Sequence, residues 1–520
     1  MHQKHAPAGH RRVGRFRLAI RSARLGVLGA LLVLGSAALA GSPPVHAATA
    51  DDWPTYLYGA NHQSDNVNFT AFGISGAPGL KTKWRYTTGG SIESNPAVAT
   101  VANATAPACA GASTPIAFFG AWDGDLYAVN ATTGALCWRT FLATDVLSPP
   151  SSSCLNALGV TSSPTVATVT IAGVPTQVVY VGASDILFAL AATSGHVLWQ
   201  VPLAGKQVGT FSPAYIWSSP TYAPANNIVY TSTASFCDAK SATDGGVYAL
   251  DASAGTLKAS IQFAPNQAPG PGVWGSPTVS PSQGIVYVAT GNGFTVSNGG
   301  VQQFCGSKQP LSCSVIALNW TTLAVVTQWQ VPTSQALADG DFGTTPVLFP
   351  GPGGATWLGA GNKNGWYYVF DTAALAAGPQ WEKKMANGGN NSVDGILAPA
   401  AYYAGTVSSG GNSCTGALFI AGGVTTLGHT SFGGSIAALC ALTGLSLWQQ
   451  GTSGHMLAAP TLANGLLADE QGGTVELRDW SSGALLFHLT SGGAMHGAAS
   501  FANGRLYIGS ANQSLYAIGP

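Results

Sequence analysis

The sequence predicts an all-β protein, an eight-bladed β-propeller whose ring is closed by its own N-terminal strand. Three observations predict it. A small residue followed by proline recurs along the chain, each copy precedes a set of short strand-like runs, and the last copy lacks its fourth run. Four-stranded units repeated four to eight times are typical of β-propellers.

The pair of a small residue and proline opens each repeat. From Pro164 onward, successive prolines lie 53 to 69 residues apart, and an apolar run follows each of them. The pairs are Asn95-Pro96, Ser163-Pro164, Ser219-Pro220, Ser276-Pro277, Thr345-Pro346, Ala398-Pro399 and Ala459-Pro460, with a degenerate copy at Ala499-Ser500. Eight copies predict eight blades, and seven would follow if one irregular copy is an insertion.

Each repeat then contains four antiparallel strands. In the second copy, residues 178–182 and 186–190 are β-branched or aromatic runs, a Thr-Ser-Gly turn follows, and a last run ends at Trp199. Such runs, separated by Gly, Asn and Asp turns, predict strands joined by hairpins. A tryptophan at the end of the outer strand is expected to pack between neighbouring blades, because buried aromatic side chains mainly supply core area. These tryptophans are Trp138, Trp199, Trp329, Trp381 and Trp448.

The ring closure follows from an offset between the two ends of the chain. The eighth copy, residues 499–520, stops before its fourth strand, whereas the run 81–88 precedes the first small-residue–proline pair. An incomplete blade would leave a sheet edge unpaired. We therefore expect residues 81–88 to complete the last blade.

Composition indicates an exported protein and excludes several function classes. Seven of the 20 basic residues lie in the first 24 positions, an apolar run follows, and the first acidic residue is Asp51. This pattern predicts a signal peptide over 1–47 and a single propeller domain over 48–520. Only 8% of the residues are charged and no basic stripe is present, which argues against nucleic-acid binding.

The eight cysteines all follow the predicted signal peptide, and an even number in an exported chain favours disulfides. Cys305 with Cys313 is the best local pair, and Cys414 with Cys440 is a second candidate; spacing alone leaves the connectivity open. No C-x-x-C-H sequence occurs, so we expect no covalently attached haem.

The closing stretches, such as 189-ALAATSGHVLW-199 and 438-ALCALTGLSLW-448, carry a family resemblance. They resemble the tryptophan-docking repeat of the pyrroloquinoline quinone (PQQ)-dependent dehydrogenases, eight-bladed quinoprotein alcohol dehydrogenases, and the polyvinyl-alcohol dehydrogenase branch is the most similar. The resemblance covers roughly 51–520. It implies a quinone in the central channel, stacked on a tryptophan beside a calcium ion, with a carboxylate base and a cationic side chain at the quinone oxygens.

The first stretch that matches this set is 273-VWGSPTVSPSQGIVYVATGN-292. Trp274 stands just before a small-residue–proline pair rather than at a blade-closing position, and the resemblance implies that it stacks on the quinone. Asn292, in a Thr-Gly-Asn turn, would ligate calcium through its amide oxygen, a donor that suits a hard cation. The alternative is an inter-blade tryptophan and an ordinary turn asparagine.

The second stretch is 338-ADGDFGTTP-346, which resembles the acidic segment of the catalytic base. Two carboxylates just before an inner strand are expected to project toward the channel mouth. Asp341, or alternatively Asp339, would accept the proton of a substrate hydroxyl. A solvated acidic turn is the other interpretation.

The third stretch, 361-GNKNGWYYVFD-371, matches the family most specifically. Lys363, with Asn364 beside it, is predicted to bind the cofactor, and the alternative for Lys363 is a plain surface charge. Two departures stand against these matches. The family's adjacent cysteines are absent, and the stretch that should supply a calcium-ligating Glu contains no Glu, with Asp238 as the nearby substitute.

These features predict an exported oxidoreductase that oxidises a small-molecule or polymeric alcohol with PQQ and calcium and passes electrons to a separate acceptor. The leading alternative is a non-catalytic propeller that binds a protein partner or an envelope polymer, because propellers of this repeat type include scaffolds. A propeller hydrolase has little support, because paired carboxylates across a cleft are not evident.

Overall fold

The computed structural model describes residues 51–143, 159–203, 214–235, 245–264, 270–297 and 300–520. The predicted signal peptide, two of the cysteines (Cys154 and Cys237) and the predicted ligand Asp238 lie outside the described residues. No helix among the described residues is long and apolar enough to cross a membrane.

In the described part of the chain, eight antiparallel sheets of four or five strands follow one another, as predicted, and we number them blades 1 to 8. Blade 1 comprises Ala97–Ala104, Gly111–Gly120, Asp125–Asn130 and Leu136–Phe141, and blade 2 comprises Thr165–Ile171, Val174–Ala183, Ile186–Ala191 and Val197–Pro202. Blade 3 comprises Ala214–Tyr215, Thr221–Ala223, Ile228–Ser235, Gly246–Asp251 and Leu257–Gln262. Blade 4 comprises Thr278–Ser280, Ile285–Ala289, Ser314–Asn319 and Val325–Gln330. Blade 5 comprises Val347–Pro350, Thr356–Gly361, Trp366–Asp371 and Trp381–Lys384; blade 6 comprises Ala401–Ser409, Asn412–Gly422, Gly434–Cys440 and Ser446–Thr452; blade 7 comprises Thr461–Ala463, Leu466–Gln471, Thr474–Asp479 and Leu485–Thr490; blade 8 comprises Ser500–Ala502, Arg505–Ser510, Ser514–Gly519 and Lys81–Thr87.

Two hairpins extend from the loops between the second and third strands of blades 4 and 6. They are formed by Gly293–Ser297 with Gly300–Phe304 and by Thr425–Leu427 with Thr430–Phe432. Four short 3-10 helices complete the regular structure of the described residues: Tyr56–Tyr58, Ala77–Gly79, Pro352–Gly354 and Thr372–Ala377.

The predicted ring closure is confirmed. Lys81–Thr87 pairs antiparallel with the last strand of the chain, so that Lys81 faces Gly519 and Thr87 faces Ser514. The outermost strand of blade 8 therefore comes from the N-terminal part of the chain, and the edge left by the incomplete last repeat is paired.

The small-residue–proline pairs of blades 1 to 5 form a row of hydrogen bonds between successive blades. The Asn95 N–H donates to Ser163 Oγ at 2.8 Å, and the Ser163 N–H donates to Ser219 Oγ at 3.1 Å. The Ser219 N–H donates to Ser276 Oγ at 2.8 Å, and the Ser276 N–H donates to Thr345 Oγ1 at 2.9 Å. In these four repeats the hydroxyl before the proline satisfies a buried backbone N–H of the preceding blade.

The tryptophans of the outer strands pack between blades, as expected. The indole of Trp138 in blade 1 covers Gly195 in the closing turn of blade 2, where an added Cβ would stand 2.4 Å from the ring. Gly195 also has a φ of +72°, which favours glycine. Trp138 Nε1 donates to the Ala192 carbonyl of the same turn at 3.0 Å. The Thr/Ser-Gly turn and the tryptophan are therefore two halves of one inter-blade contact.

The segment that precedes the closing strand, residues 51–66, runs across the innermost strands. Its carbonyls accept backbone hydrogen bonds from seven of the eight blades, donated by Val98, Val166, Val279, Leu348, Tyr402, Leu462 and Asn503. Trp53 and Leu57 are fully buried in it. This channel segment, as we call residues 51–66, fills part of the central channel.

Candidate functional site

A cavity of about 500 Å³ lies at the centre of the ring. Every blade from 1 to 5 contributes its inner end to the wall of this cavity. The residues are those of the hydrogen-bonded row between these blades: Asn95, Ser163, Ser219, Ser276 and Thr345. The cavity also takes in Trp274, Asp339, Asp341 and Lys363, which the sequence predicted as site residues.

Trp274 presents its indole to this cavity and is only half-buried. The ring packs on the backbone of Gly343, where an added Cβ would lie 2.7 Å from its outer edge. Gly343 follows Asp341 by two residues, so the aromatic plane and the acidic loop are in direct contact.

Asp341 is held by the turn that carries Asn292. The Asn292 N–H donates to Asp341 Oδ1 at 2.6 Å. A Cβ at Gly291 would stand 2.7 Å from the same oxygen, so the glycine of the Thr-Gly-Asn turn allows the carboxylate to approach the backbone. Asp341 itself is 7% exposed, and it lines the cavity.

Asp339 lies between Lys363 and Asn292. Lys363 Nζ forms a short ion pair with Asp339 Oδ2, and Asn292 Nδ2 donates to Asp339 Oδ1 at 2.8 Å. The Lys363 N–H also donates to the Asp341 carbonyl at 2.9 Å, which fixes the turn between the second and third strands of blade 5 against the acidic loop. The alternative of a solvated surface lysine does not fit, because the side chain of Lys363 is only 8% exposed.

Asn364 is buried next to this group but is not part of the cavity wall. Its Nδ2 donates to Tyr368 Oη at 2.8 Å and to the Gln335 carbonyl at 3.1 Å, and its Oδ1 accepts from the Trp366 N–H at 3.0 Å. The contacts of Asn364 thus shape the turn that presents Lys363.

The oxygen atoms of Asn292, Asp339 and Asp341, beside Lys363, are of the kind that a hard cation binds. Asn292 is 1% exposed, and its Oδ1 lies 3.7 Å from Cys305 Sγ and 3.8 Å from Cys313 Sγ. These sulfurs are bonded to each other and carry no hydrogen, so this buried amide oxygen accepts no hydrogen bond from them. Together with the carboxylates of Asp339 and Asp341, it provides the oxygen ligands that calcium prefers.

In the described chain, no group of three or more His, Cys, Asp or Glu side chains could hold a metal. The described donor set is therefore two carboxylates and one amide. In the present arrangement the amide nitrogen of Asn292, rather than its oxygen, faces Asp339. Coordination by the oxygen would require the amide to turn over.

The cavity also contains polar groups that sequence reasoning missed. His496 Nδ1 lies 2.7 Å from Glu93 Oε2, and both residues line the cavity. The hydrogen bond with Glu93 raises the pKa of His496, while burial opposes this. No sequence signal brings these residues together, because they are 403 positions apart and meet only through ring closure.

Two aromatic residues of the cavity wall were also missed. Trp217 stands three residues before Pro220, the same register that Trp274 has before Pro277, so this repeat signal could have identified it. The Trp217 indole is anchored by a hydrogen bond from its Nε1 to the Ser235 carbonyl at 3.0 Å. Tyr56, from the channel segment, reaches the cavity as well, and burial raises its pKa to about 12.

The fold and the site define a class of protein. The sequence model of the glucose/ethanol/alcohol dehydrogenase β-propeller domain, a PQQ family, matches residues 75–374, more than half of the chain. The chain belongs to this family. A polyvinylalcohol dehydrogenase from a Pseudomonas species is 27% identical over 280 residues, which are 49% of this chain and 38% of that protein. The chain thus matches well under half the length of that relative.

Solved structures show the same fold. The quinohaemoprotein alcohol dehydrogenase ADHIIG from Pseudomonas putida HK5 superimposes with a TM-score of 0.68 at 15% identity, covering 90% of this chain and 80% of that one. The quinohaemoprotein alcohol dehydrogenase from Comamonas testosteroni gives 0.65 at 16% identity, covering 90% and 81%. A europium-containing methanol dehydrogenase gives 0.66 at 13% identity, covering 91% and 98%.

Proposed function

We propose that the protein is an exported quinoprotein oxidoreductase that oxidises an alcohol with PQQ and calcium and passes the electrons to a separate acceptor. The observation that carries this proposal is the convergence of Trp274, Asp339, Asp341 and Lys363 on one central cavity in a chain of the PQQ family. A scattered set would have favoured a scaffold instead.

Trp274 would provide the binding platform for a planar tricyclic cofactor. Its half-buried indole faces a cavity of about 500 Å³, a size typical of small-molecule sites. Aromatic rings pack in offset-stacked arrangements that gain energy beyond their buried area. The contact with Gly343 fixes the plane on which the cofactor would lie.

The bound quinone would supply the acceptor for the hydride that leaves the alcohol carbon, and this is chemistry that the protein itself lacks. Asp341 would take the proton of the substrate hydroxyl, because its carboxylate lines the cavity beside Trp274. Lys363 would place its positive charge where negative charge develops on the cofactor oxygens.

Asn292, Asp339 and Asp341 would hold the calcium ion. Asp238, outside the described residues, is a further ligand that we propose from the sequence. Disulfides and the predicted signal peptide support export.

A cofactor titration tests this proposal. The purified protein is titrated with PQQ in the presence of calcium while tryptophan fluorescence is followed. Saturable quenching is expected, with a large part of it lost in Trp274→Phe and with weaker binding in Lys363→Ala. Lys258→Ala is the matched control, because Lys258 pairs with Asp251 on the surface. Absence of saturable binding in the wild type would refute the proposal and favour the scaffold function, with a protein or envelope polymer as partner.

A further inference from the structure

The Cys305–Cys313 disulfide touches the candidate cation site directly. Its two sulfurs lie 3.7 and 3.8 Å from Asn292 Oδ1, on the side of the amide opposite to the nitrogen that faces Asp339. Cys313 is fully buried, and its N–H donates to the Gly291 carbonyl at 2.8 Å. The disulfide therefore contacts both the side chain of Asn292 and the backbone of the residue before it.

The same disulfide also packs against the acidic loop. A Cβ added at Gly340 would stand 2.9 Å from Cys305 Sγ, so the loop backbone between Asp339 and Asp341 lies in close contact with this sulfur. On its other side, the Gly340 carbonyl accepts from Asn362 Nδ2 at 2.8 Å. The loop is thus held between the disulfide and the turn that carries Lys363.

We infer that the Cys305–Cys313 disulfide is a positioning element of the cation site, which holds the Thr-Gly-Asn turn of Asn292 and the Asp339–Asp341 loop beside each other. This inference rests on the proposed function. Groups behind metal ligands orient them, and their removal typically lowers metal affinity about 10- to 100-fold. The bonded sulfurs carry no hydrogen, so they form no hydrogen bond that would hold the Asn292 amide in its present orientation, and the amide can turn its oxygen toward the carboxylates.

The other described disulfides have no such place. Cys414–Cys440 joins the second and third strands of blade 6, and Cys109–Cys137 lies in blade 1. Cys414–Cys440 closes a loop of 26 residues, whereas Cys305–Cys313 closes one of 8. Removal of the longer cross-link is expected to cost at least as much stability. If Cys305–Cys313 were merely structural, its loss would affect the cation site no more than the loss of Cys414–Cys440.

Terbium luminescence separates these two roles. Trp274 is close enough to Asp341 to sensitise the emission of Tb³⁺ bound there, since both contact the Gly291–Gly343 region. The purified protein without PQQ is titrated with TbCl₃, excited through tryptophan, and Asp341→Asn verifies that the emission arises at this site. Thermal unfolding of every variant is recorded alongside.

The Cys305→Ser/Cys313→Ser variant is expected to bind Tb³⁺ at least about tenfold more weakly than the wild type. Cys414→Ser/Cys440→Ser is expected to keep the wild-type affinity within about twofold, although its melting temperature falls by at least as much. Gly340→Ala keeps all the disulfides, displaces the loop from Cys305, and is also expected to bind Tb³⁺ more weakly. This variant tests the inference if the double variant does not fold.

Equal Tb³⁺ affinities in the wild type and in both Cys305–Cys313 site variants would overturn the positioning role and leave the cation site intact. Absence of sensitised emission from the wild type would overturn the cation site itself, and this inference with it.

Discussion

The ion pair between Lys363 and Asp339 makes a quantitative prediction. The side chains are 8% and 17% exposed, and Asp341 lies two residues away from Asp339. Removal of one partner of a buried pair leaves an uncompensated charge and costs about 3–5 kcal/mol. Because Asp339 reaches the cavity, where water can solvate it, we expect the lower end, about 3 kcal/mol, for Lys363→Met.

This free energy translates into a modest thermal shift. For a chain of 520 residues the entropy of unfolding is about 1 kcal/mol per kelvin, so Lys363→Met should lower Tm by about 3 °C. Adding Asp339→Asn removes the uncompensated charge and should recover part of that loss, because mutations of two residues in contact are not additive. Differential scanning calorimetry in EDTA measures both shifts without a bound cation.

Lys258→Met is the control for loss of a lysine. Lys258 is 47% exposed and pairs with Asp251 at 3.5 Å on the surface, where such pairs are worth about 0–1 kcal/mol. Its Tm should therefore stay within about 1 °C of the wild type. The opposite result would be a Tm that is lower in the double variant Lys363→Met/Asp339→Asn than in Lys363→Met. In that case Asp339 would not be the charge that Lys363 compensates, and our interpretation of this ion pair would be refuted.

Three further predictions concern the turn, the channel segment and the ring. Gly291→Ala places a Cβ 2.7 Å from Asp341 Oδ1, so it should weaken Tb³⁺ binding about tenfold in the luminescence titration; unchanged affinity would contradict the contact. Burial raises the pKa of Asp65 from 3.8 to about 7, so its carboxyl lowers the free energy of unfolding as pH rises through this range. In denaturant melts, the free energy of unfolding of Asp65→Asn should match that of the wild type near pH 4 and exceed it at pH 8 by at most about 4 kcal/mol. An equal difference at both pH values would contradict this prediction. Ser219→Ala leaves the buried Ser163 N–H without its acceptor, so it should lower the calorimetric Tm by about 1–3 °C. An unchanged Tm would contradict a stabilising role for the hydrogen bonds between successive blades.

Much of the fold could be predicted because each repeat encodes its own contacts. The hydroxyl before proline at Ser163 accepts the hydrogen bond of the previous blade, and the glycine at Gly195 receives the tryptophan of the previous blade. Such contacts recur at a nearly fixed spacing, which makes them visible in one sequence. The closing strand 81–87 was found because its partner strand was missing from the last repeat.

The site could be predicted only in part. The stretches around Trp274, Asp341 and Lys363 were found by their resemblance to a family, and the structure brings all three to one cavity. Which carboxylate binds the lysine depends on side-chain rotamers, which spacing does not reveal. Asn364 was expected at the cofactor, but its amide turns inward to Tyr368.

Other features of the structure depend on tertiary contacts that occur once and do not recur from blade to blade. The pairing of His496 with Glu93 depends on the two ends of the ring meeting. The channel segment crosses seven blades through backbone groups, which any sequence supplies, so its path left no side-chain pattern. The Cys305–Cys313 pair was predicted from its short spacing, whereas its contact with Asn292 was not.

Turnover is the most direct test of the central claim that the cavity oxidises an alcohol. The purified protein is loaded with PQQ and calcium, and dye-linked oxidation is measured over a panel of small and polymeric alcohols, with Asp341→Asn as the comparison. We predict turnover that requires the cofactor and falls at least about 100-fold in Asp341→Asn, the range of a general base. No cofactor-dependent oxidation of any alcohol by a protein that binds PQQ would contradict the claim.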